Sequence, residues 1–210
     1  MSDDVFAADG RVIGSRALAT RRKLLDATAK LLQEQGILDL RVVDISRDIG
    51  SSPATFYQYF NDVDEAILEL SKEATEDEKP LVALLQPGWT GSDGLERAGK
   101  FVDAYMLYWD THHAVLRARN LKAEEGNRHF RAVRTEANLL VMDALQAMVT
   151  EGIATKRLPE SLDPFTTAAA VVAMCERLLA FQPEMAKRGA NRDAIRNTLA
   201  TLVYGALTGH

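Results

Sequence analysis

With 210 residues, 47% of them hydrophobic, the chain can bury a sizeable core as one compact domain or as a small domain joined to a larger one, which excludes a disordered protein. A net charge of −5 excludes a wholesale polyanion binder, so affinity for nucleic acid must come from local charge. One cysteine excludes an internal disulfide, no apolar run reaches membrane-span length, and no basic-then-apolar leader opens the chain, so a cytoplasmic protein without a membrane partner is expected.

Residues 1–20 show no clear period, and Gly10 and Gly14 interrupt any helix there. Arg11, Arg16, Arg21, Arg22 and Lys23 follow with no acid between Asp9 and Asp26, which predicts a basic arm able to reach a phosphate backbone or minor groove. Leu24, Leu25, Thr28, Leu31 and Leu32 then share one face of a helix predicted over 21–35. Gly36 ends it, and Ile37, Leu38 and Leu40 are expected to plug a small three-helix core.

The stretch 42–60, VVDISRDIGSSPATFYQYF, reads as two short helices around a sharp turn. Val42, Ile45 and Ile49 recur at helical spacing, and Gly50 can take the left-handed conformation that ends a helix. Ser52 can cap the next helix, and Pro53 sits where its missing N–H costs nothing. Phe56 and Phe60 form the inward stripe, while Ser46 is small enough for the helices to approach. Ala54, Thr55, Tyr57, Gln58 and Tyr59 are left facing outward. A plain helical hairpin has the same spacing. Two tyrosines and a glutamine on a capped, proline-started helix favour instead a helix-turn-helix whose second helix enters a major groove.

On these features residues 20–70 resemble the DNA-binding domain of the TetR family of bacterial transcriptional regulators. The matching positions are Arg21 ahead of LLDATAKLL, Gly36, Ile45, Ser46, Gly50, Thr55-Phe56-Tyr57, Tyr59, Phe60, and a capped helix from Asp62. The resemblance implies an all-α fold of about nine helices: an arm over 1–20, a helix-turn-helix domain over 21–62, and a ligand-binding and dimerisation domain over 63–210. It implies a homodimer on a palindromic operator, released by a small effector, with Arg21, Arg41, Ser52, Pro53, Ala54, Thr55, Tyr57, Gln58 and Tyr59 as the DNA-binding residues. Two positions depart from the family pattern. Val63 stands where a phosphate-binding Lys is usual, and Arg41 replaces the Thr or Ser that caps the first motif helix.

After the reader, Asp62 caps a helix predicted over 63–78, with Pro80 as its boundary. Its acids, Asp62 to Glu78, meet only Lys72 and Lys79 in the local sequence and read as a solvated face that DNA would repel. A short helix and a loop rich in Gly follow. A helix beginning at Ser92 or Asp93 is expected to break at His112–His113 and to resume as far as Gly126. Asn127 starts a long helix closed by Gly152, and 156–162 is a loop. Asp163 with Pro164 opens a helix apolar around nearly its whole circumference, and Asn191 caps the last one. A helix without a polar face must be covered on all sides, by its own domain or by a partner subunit, and the resemblance implies that these two helices pair across a two-fold axis; an interior core helix has the same pattern.

Aromatic and sulfur side chains recur in the larger region. Each alone reads as core; as a set, Phe101, Tyr105, Tyr108, Trp109, His112, Phe130, Met142, Met174 and Phe181 would line a mainly apolar pocket for a hydrophobic or aromatic compound. His112 and His113 are adjacent and diverge by about 100° on a helix, which argues against a shared metal ion. No phosphate loop, nucleophile elbow or zinc-protease signature is found, so neither a cofactor nor catalysis is expected. A small helical enzyme or carrier with an incidental helix-turn-helix is the competing reading, and an architectural DNA binder would need a broader basic surface.

Overall fold

The computed structural model describes residues 14–86 and 89–209, except for the side chain of Asn138. Among these residues there are nine α-helices and no strand. They are α1 (Ser15–Gln35), α2 (Val42–Asp48), α3 (Pro53–Tyr57), α4 (Val63–Leu84), α5 (Gly94–Glu124), α6 (Arg128–Ala154), α7 (Pro164–Ala180), α8 (Gln182–Ala186) and α9 (Arg192–Thr208).

Four boundaries differ from the sequence reading, each for a local reason. Helix α1 starts at Ser15 rather than at 21: extended Gly14 precedes it, and Ala17, Leu18 and Ala19 favour helix. Residues 15–20 of the expected arm are therefore helical, and Arg11 lies outside the described residues. Pro80 sits inside α4, whose last turns are held by buried Leu81 and a following buried Leu85. Helix α5 runs unbroken through His112 and His113, because histidine has only a modest cost in a helix and neighbours on both sides are packed. Gly152 lies within α6, not at its end. A Cβ there would stand 2.6 Å from Leu158 Cδ1, so the glycine admits a close approach by the loop after the helix.

The chain divides into two compact units: Met1–Ala74 with Ala114–Arg134, and Thr75–His113 with Thr135–His210. The first unit's core joins Leu24, Leu25 and Leu32 of α1, Ile45 of α2, Phe56 of α3, Phe60, and Ala66, Ile67 and Leu70 of α4. It also takes in Val115, Ala118 and Ala123 of α5 and Phe130 of α6. Leu38, expected as a core plug, is 87% exposed on the α1–α2 connection, whereas Leu40 is buried and Ile37 half-buried. Three apolar residues in four cannot all face inward from so short a link.

In the second unit, Trp89, Phe101, Val102, Tyr105, Leu145 and Val149 are buried, as are Val171, Cys175, Ile195, Leu199 and Val203. Both capped starts hold: Asp163 accepts from Thr166 N at 2.7 Å, and Asn191 from Ala194 N at 2.8 Å. On α9, Arg196 donates to Asp103 of α5 through Nε and Nη2, and Gly99 leaves the room its guanidinium occupies. The added methyl of Gly152→Ala would force the Leu158 side chain out of its seat. We expect a loss of about 1–3 kcal/mol in chemical denaturation, typical of overpacking, with an unchanged helical circular-dichroism spectrum.

Candidate nucleic-acid interface

The turn between α2 and α3 is fixed by its backbone. Gly50 has φ +66°, its N–H reaches Arg47 O at 3.0 Å, and Ser51 N reaches Ser46 O at 2.8 Å. That pair of bonds satisfies the last carbonyls of α2 and turns the chain sharply. No neighbouring atom crowds Gly50, so the glycine is required by its conformation alone.

Helix α3 is then set by a cap and two anchors. Ser52 Oγ accepts from Thr55 N at 3.4 Å, with Pro53 in the first turn. Phe56 and Phe60 are fully buried, their rings 5.4 Å apart, and Tyr57 stands edge-on to Phe56 at 5.9 Å. With the anchors inside, Ser52, Pro53, Ala54, Tyr57 and Gln58 are exposed and Thr55 is half-exposed. Tyr59 is half-buried, its ring packed against the core. This is a row of small, hydroxyl and amide side chains on a helix fixed from behind, which suits reading base edges and gripping phosphates.

Arg41 is exposed at the extended residue before α2 and makes no side-chain cap, consistent with a side chain left available to solvent. Arg21 behaves differently. Its guanidinium lies 5.1 Å from the centre of the Phe60 ring and donates to Glu69 Oε2 at 2.7 Å, so it joins α1 to α4 rather than facing outward. Arg22 likewise donates to both oxygens of Glu73, at 2.8 Å each.

The acidic face of α4 is thus not simply solvated. Besides these arginines, Lys122 of α5 meets Asp64 at 3.0 Å, and in the second unit His112 meets Asp77 at 3.1 Å. Glu78, at the end of the acidic run, is only 4% exposed. Burial works to raise the Glu69 carboxyl, but hydrogen bonds and charge from Lys72 and Arg21 outweigh it and hold it below its ordinary value. Asp62 and Glu65 close the α3–α4 link: Asp62 Oδ1 accepts from Glu65 N at 2.8 Å, while Glu65 Oε2 accepts from Asn61 N at 2.6 Å. Val63, where the family pattern has lysine, packs against the core.

The residues expected around a ligand separate into groups. Phe101, Tyr105, Tyr108, Trp109 and His112 all lie on α5 in the second unit, and ring-to-ring steps link Trp89, Phe101, Tyr105, Tyr108 and His112 at 6.3, 6.0, 6.1 and 5.2 Å. Met142 is buried and Met174 half-buried in the same unit. Phe130 is not with them, because its ring belongs to the core behind the reader. Phe181 is 43% exposed at the end of α7, beneath the Arg177 guanidinium at 4.8 Å. Burial pushes the Tyr105 hydroxyl well above its ordinary value, and Glu176, Cys175, Glu78 and Tyr108 add to the shift. Sequence reasoning missed Glu78 and Glu176 as neighbours of this row. A lone acid in the apolar run MCERLLA was the available signal for Glu176. The Cys175 thiol, pushed up to about 12 chiefly by burial, remains protonated and inert.

The fold and the reader together define a helix-turn-helix DNA-binding protein with an appended helical domain. Two family descriptions match it in succession: "Bacterial regulatory proteins, tetR family" over residues 24–69 and "Tetracyclin repressor-like, C-terminal domain" over residues 81–210. The chain belongs to the TetR family of transcriptional regulators. A curated relative, an uncharacterized HTH-type transcriptional regulator of Haemophilus influenzae, is 39% identical over 56 residues, spanning 26% of this chain and 27% of that protein. Among solved structures, the fatty acid degradation regulator FadR of Bacillus halodurans is similar with a TM-score of 0.66 at 16% identity, over 94% of this chain and 98% of its own. The FadR of Bacillus subtilis in complex with stearoyl-CoA gives 0.66 at 17% identity, covering 88% of this chain and 98% of its own. A putative regulator of Saccharomonospora viridis in complex with choline gives 0.69 at 21%, covering 89% and 96%.

The Glu69 carboxyl carries a pH prediction. Because its folded value is lowered, its contribution is complete above the ordinary value of 4.5 and fades as the pH falls through the folded value. We expect Glu69→Gln to cost about 1 kcal/mol at neutral pH, a small figure because the pair is partly solvated. Unfolding curves should begin to approach the parent's as the pH falls below about 4.5 and meet once it is below the folded value; a difference independent of pH would assign the loss to packing instead.

Proposed function

We propose that the chain is a homodimeric, non-enzymatic repressor in the cytoplasm, released from a palindromic operator by a small hydrophobic or aromatic effector. The carrying observation is α3: Phe56 and Phe60 are fully buried while Ala54, Tyr57 and Gln58 are exposed on the same short helix and its end. The division into a reader within 21–62 and a sensing and dimerising region over 63–210 belongs to the same proposal, whereas the expected arm over 1–20 is overlapped by α1 from Ser15.

Support for an effector site comes from the buried ring series on α5. The same helix carries Val115, Ala118 and Ala123 in the core behind the reader, so one continuous helix holds both candidate ligand residues and part of the reader's support. A ligand shifts DNA affinity only if it prefers one arrangement of that helix over another. A second reading, a compound with a cationic end, is favoured by the buried Glu78 carboxyl in the same unit as the α5 rings, since rings and carboxylates together hold organic cations. The stearoyl-CoA and choline of the two ligand-bound neighbours supply a probe for each reading.

Dimerisation through α7 and α9 is supported by what a single chain leaves open. The two helices pack on each other, yet Phe165 of α7 and Leu202 of α9 stay 47% and 48% exposed, with Ala170 and Ala173 also uncovered.

The test is a footprint on the DNA flanking the protein's own gene, with operator selection from a random pool as the backstop. Tyr57→Phe should weaken binding to all sequences by a similar factor, because a hydroxyl on phosphate carries no base information. Thr55→Val or Ala54→Gly should change base preference by about 1–3 kcal/mol at the position read. A folded dimer that selects no sequence from the pool would return the carrier reading to the front.

A further inference from the structure

Two acids of α4 are bound to consecutive arginines of α1, and one of the two pairs also reaches the core behind the reader. Glu69 Oε2 accepts from Arg21 at 2.7 Å, and its Oε1 accepts from Lys72 at 2.7 Å. Glu73 accepts from Arg22 through both oxygens. That second pair is open to solvent, its side chains 46% and 43% exposed, whereas Arg21 is 16% and Glu69 29% exposed.

Arg21 is committed on two sides. Its guanidinium lies 5.1 Å from the centre of the Phe60 ring, and its Nε is buried with no hydrogen-bond partner among the described residues. A guanidinium is planar and weakly hydrated, so it can lie on a ring while its edge meets a carboxylate; a lysine ammonium lacks that plane. Phe60 passes the contact to the reader. Its N–H donates to Phe56 O at 3.0 Å, continuing the turn of α3, and the two buried rings are 5.4 Å apart. Helix α3 has five residues, so its orientation comes from what backs these rings rather than from its own hydrogen bonds. A series of contacts therefore runs from Glu69 through Arg21 and Phe60 to Phe56 and α3.

From this series we propose that Arg21 and Glu69 are positioning residues for operator binding, holding α3 in its DNA-competent orientation through the Phe60 ring, and that Arg21 is not a phosphate ligand. The inference rests on the operator-binding reading. Its sign is opposite to that of simple electrostatics. Removing an acid near a polyanion ordinarily strengthens binding by lifting repulsion. Here loss of the Glu69 charge weakens it, because apparent affinity scales with the fraction of molecules whose reader is held in place.

The experiment measures affinity for a duplex selected by the full-length protein from a random pool, across a series of salt concentrations and below the unfolding transition of every variant. Arg21→Gln, Glu69→Gln and the double variant, which keeps the parent's net charge, should each bind about threefold to tenfold more weakly. Because the two residues act as a unit, the double should lose no more than either single. The slope of log affinity against log salt should stay at the parent's value, since no phosphate contact is removed. Arg21→Lys keeps the charge without the planar stack, and its affinity should fall between those of the parent and Arg21→Gln. Glu73→Gln removes an ion pair between the same two helices whose arginine stacks on no ring among the described residues, and it should bind at least as tightly as the parent.

A slope reduced by about 0.9 in Arg21→Gln, with Glu69→Gln binding as tightly as the parent or tighter, would make Arg21 a phosphate ligand and overturn the inference. An equal fall in Glu69→Gln and Glu73→Gln overturns the role of the Phe60 ring. Parent affinity in variants whose unfolding midpoint alone is lowered leaves the pair a stabilising contact only, and overturns the inference as well. Each of these leaves the operator reading intact, whereas failure of the parent itself to select a sequence removes the reading beneath it.

Discussion

The helix-turn-helix depends on one packing arrangement: Phe56 and Phe60 buried against α1 and α4, with the Arg21 guanidinium over the Phe60 ring and fastened to Glu69. Helix α3 has five residues, too few to hold its own shape in water. Its conformation is therefore imposed by the capped start at Ser52 and by what lies behind it. Truncating either phenylalanine would remove about 3–5 kcal/mol, as buried aromatics do. That is a large share of a small domain's stability, and its loss would release the reading face from its scaffold.

The ionic pattern follows from the same geometry. Three acids of α4 that look like a solvated face in sequence meet cations from α1 and α5, Asp64 with Lys122, Glu69 with Arg21 and Glu73 with Arg22, and a fourth, Asp77, meets the His112 ring. Each partly solvated pair is worth little alone. Together they set which cations remain for a partner.

Local rules made most of the reader legible. Gly50 with positive φ, the Ser52 and Pro53 start, and the Phe56–Phe60 step all follow from residue chemistry over a few positions. The caps at Asp163 and Asn191 do as well. What local rules could not supply was anything set by distant partners. Leu38 looked like a core residue because its neighbours are. Arg21 looked free because Glu69 is 48 positions away, and Phe130 looked like pocket because its helical spacing matched residues that lie in the other unit. Gly152 misled for the opposite reason: a glycine near a helix end usually closes it, and here it makes room for Leu158.

One consequence concerns how such a protein can be divided. The core behind the reader is closed by Val115, Ala118, Ala123 and Phe130, contributed from beyond residue 113. A fragment cut after Ala74 would lack these side chains and leave open the core they share with Leu24, Ile67 and Leu70. The reader is thus not a cassette that recombination or engineering can move by joining residues 1–74 to a different sensor. A chimera keeps a sound core only if the donor of the sensor supplies an equivalent helical corner, so exchange between relatives is restricted to grafts of surface residues on α3 or to whole chains.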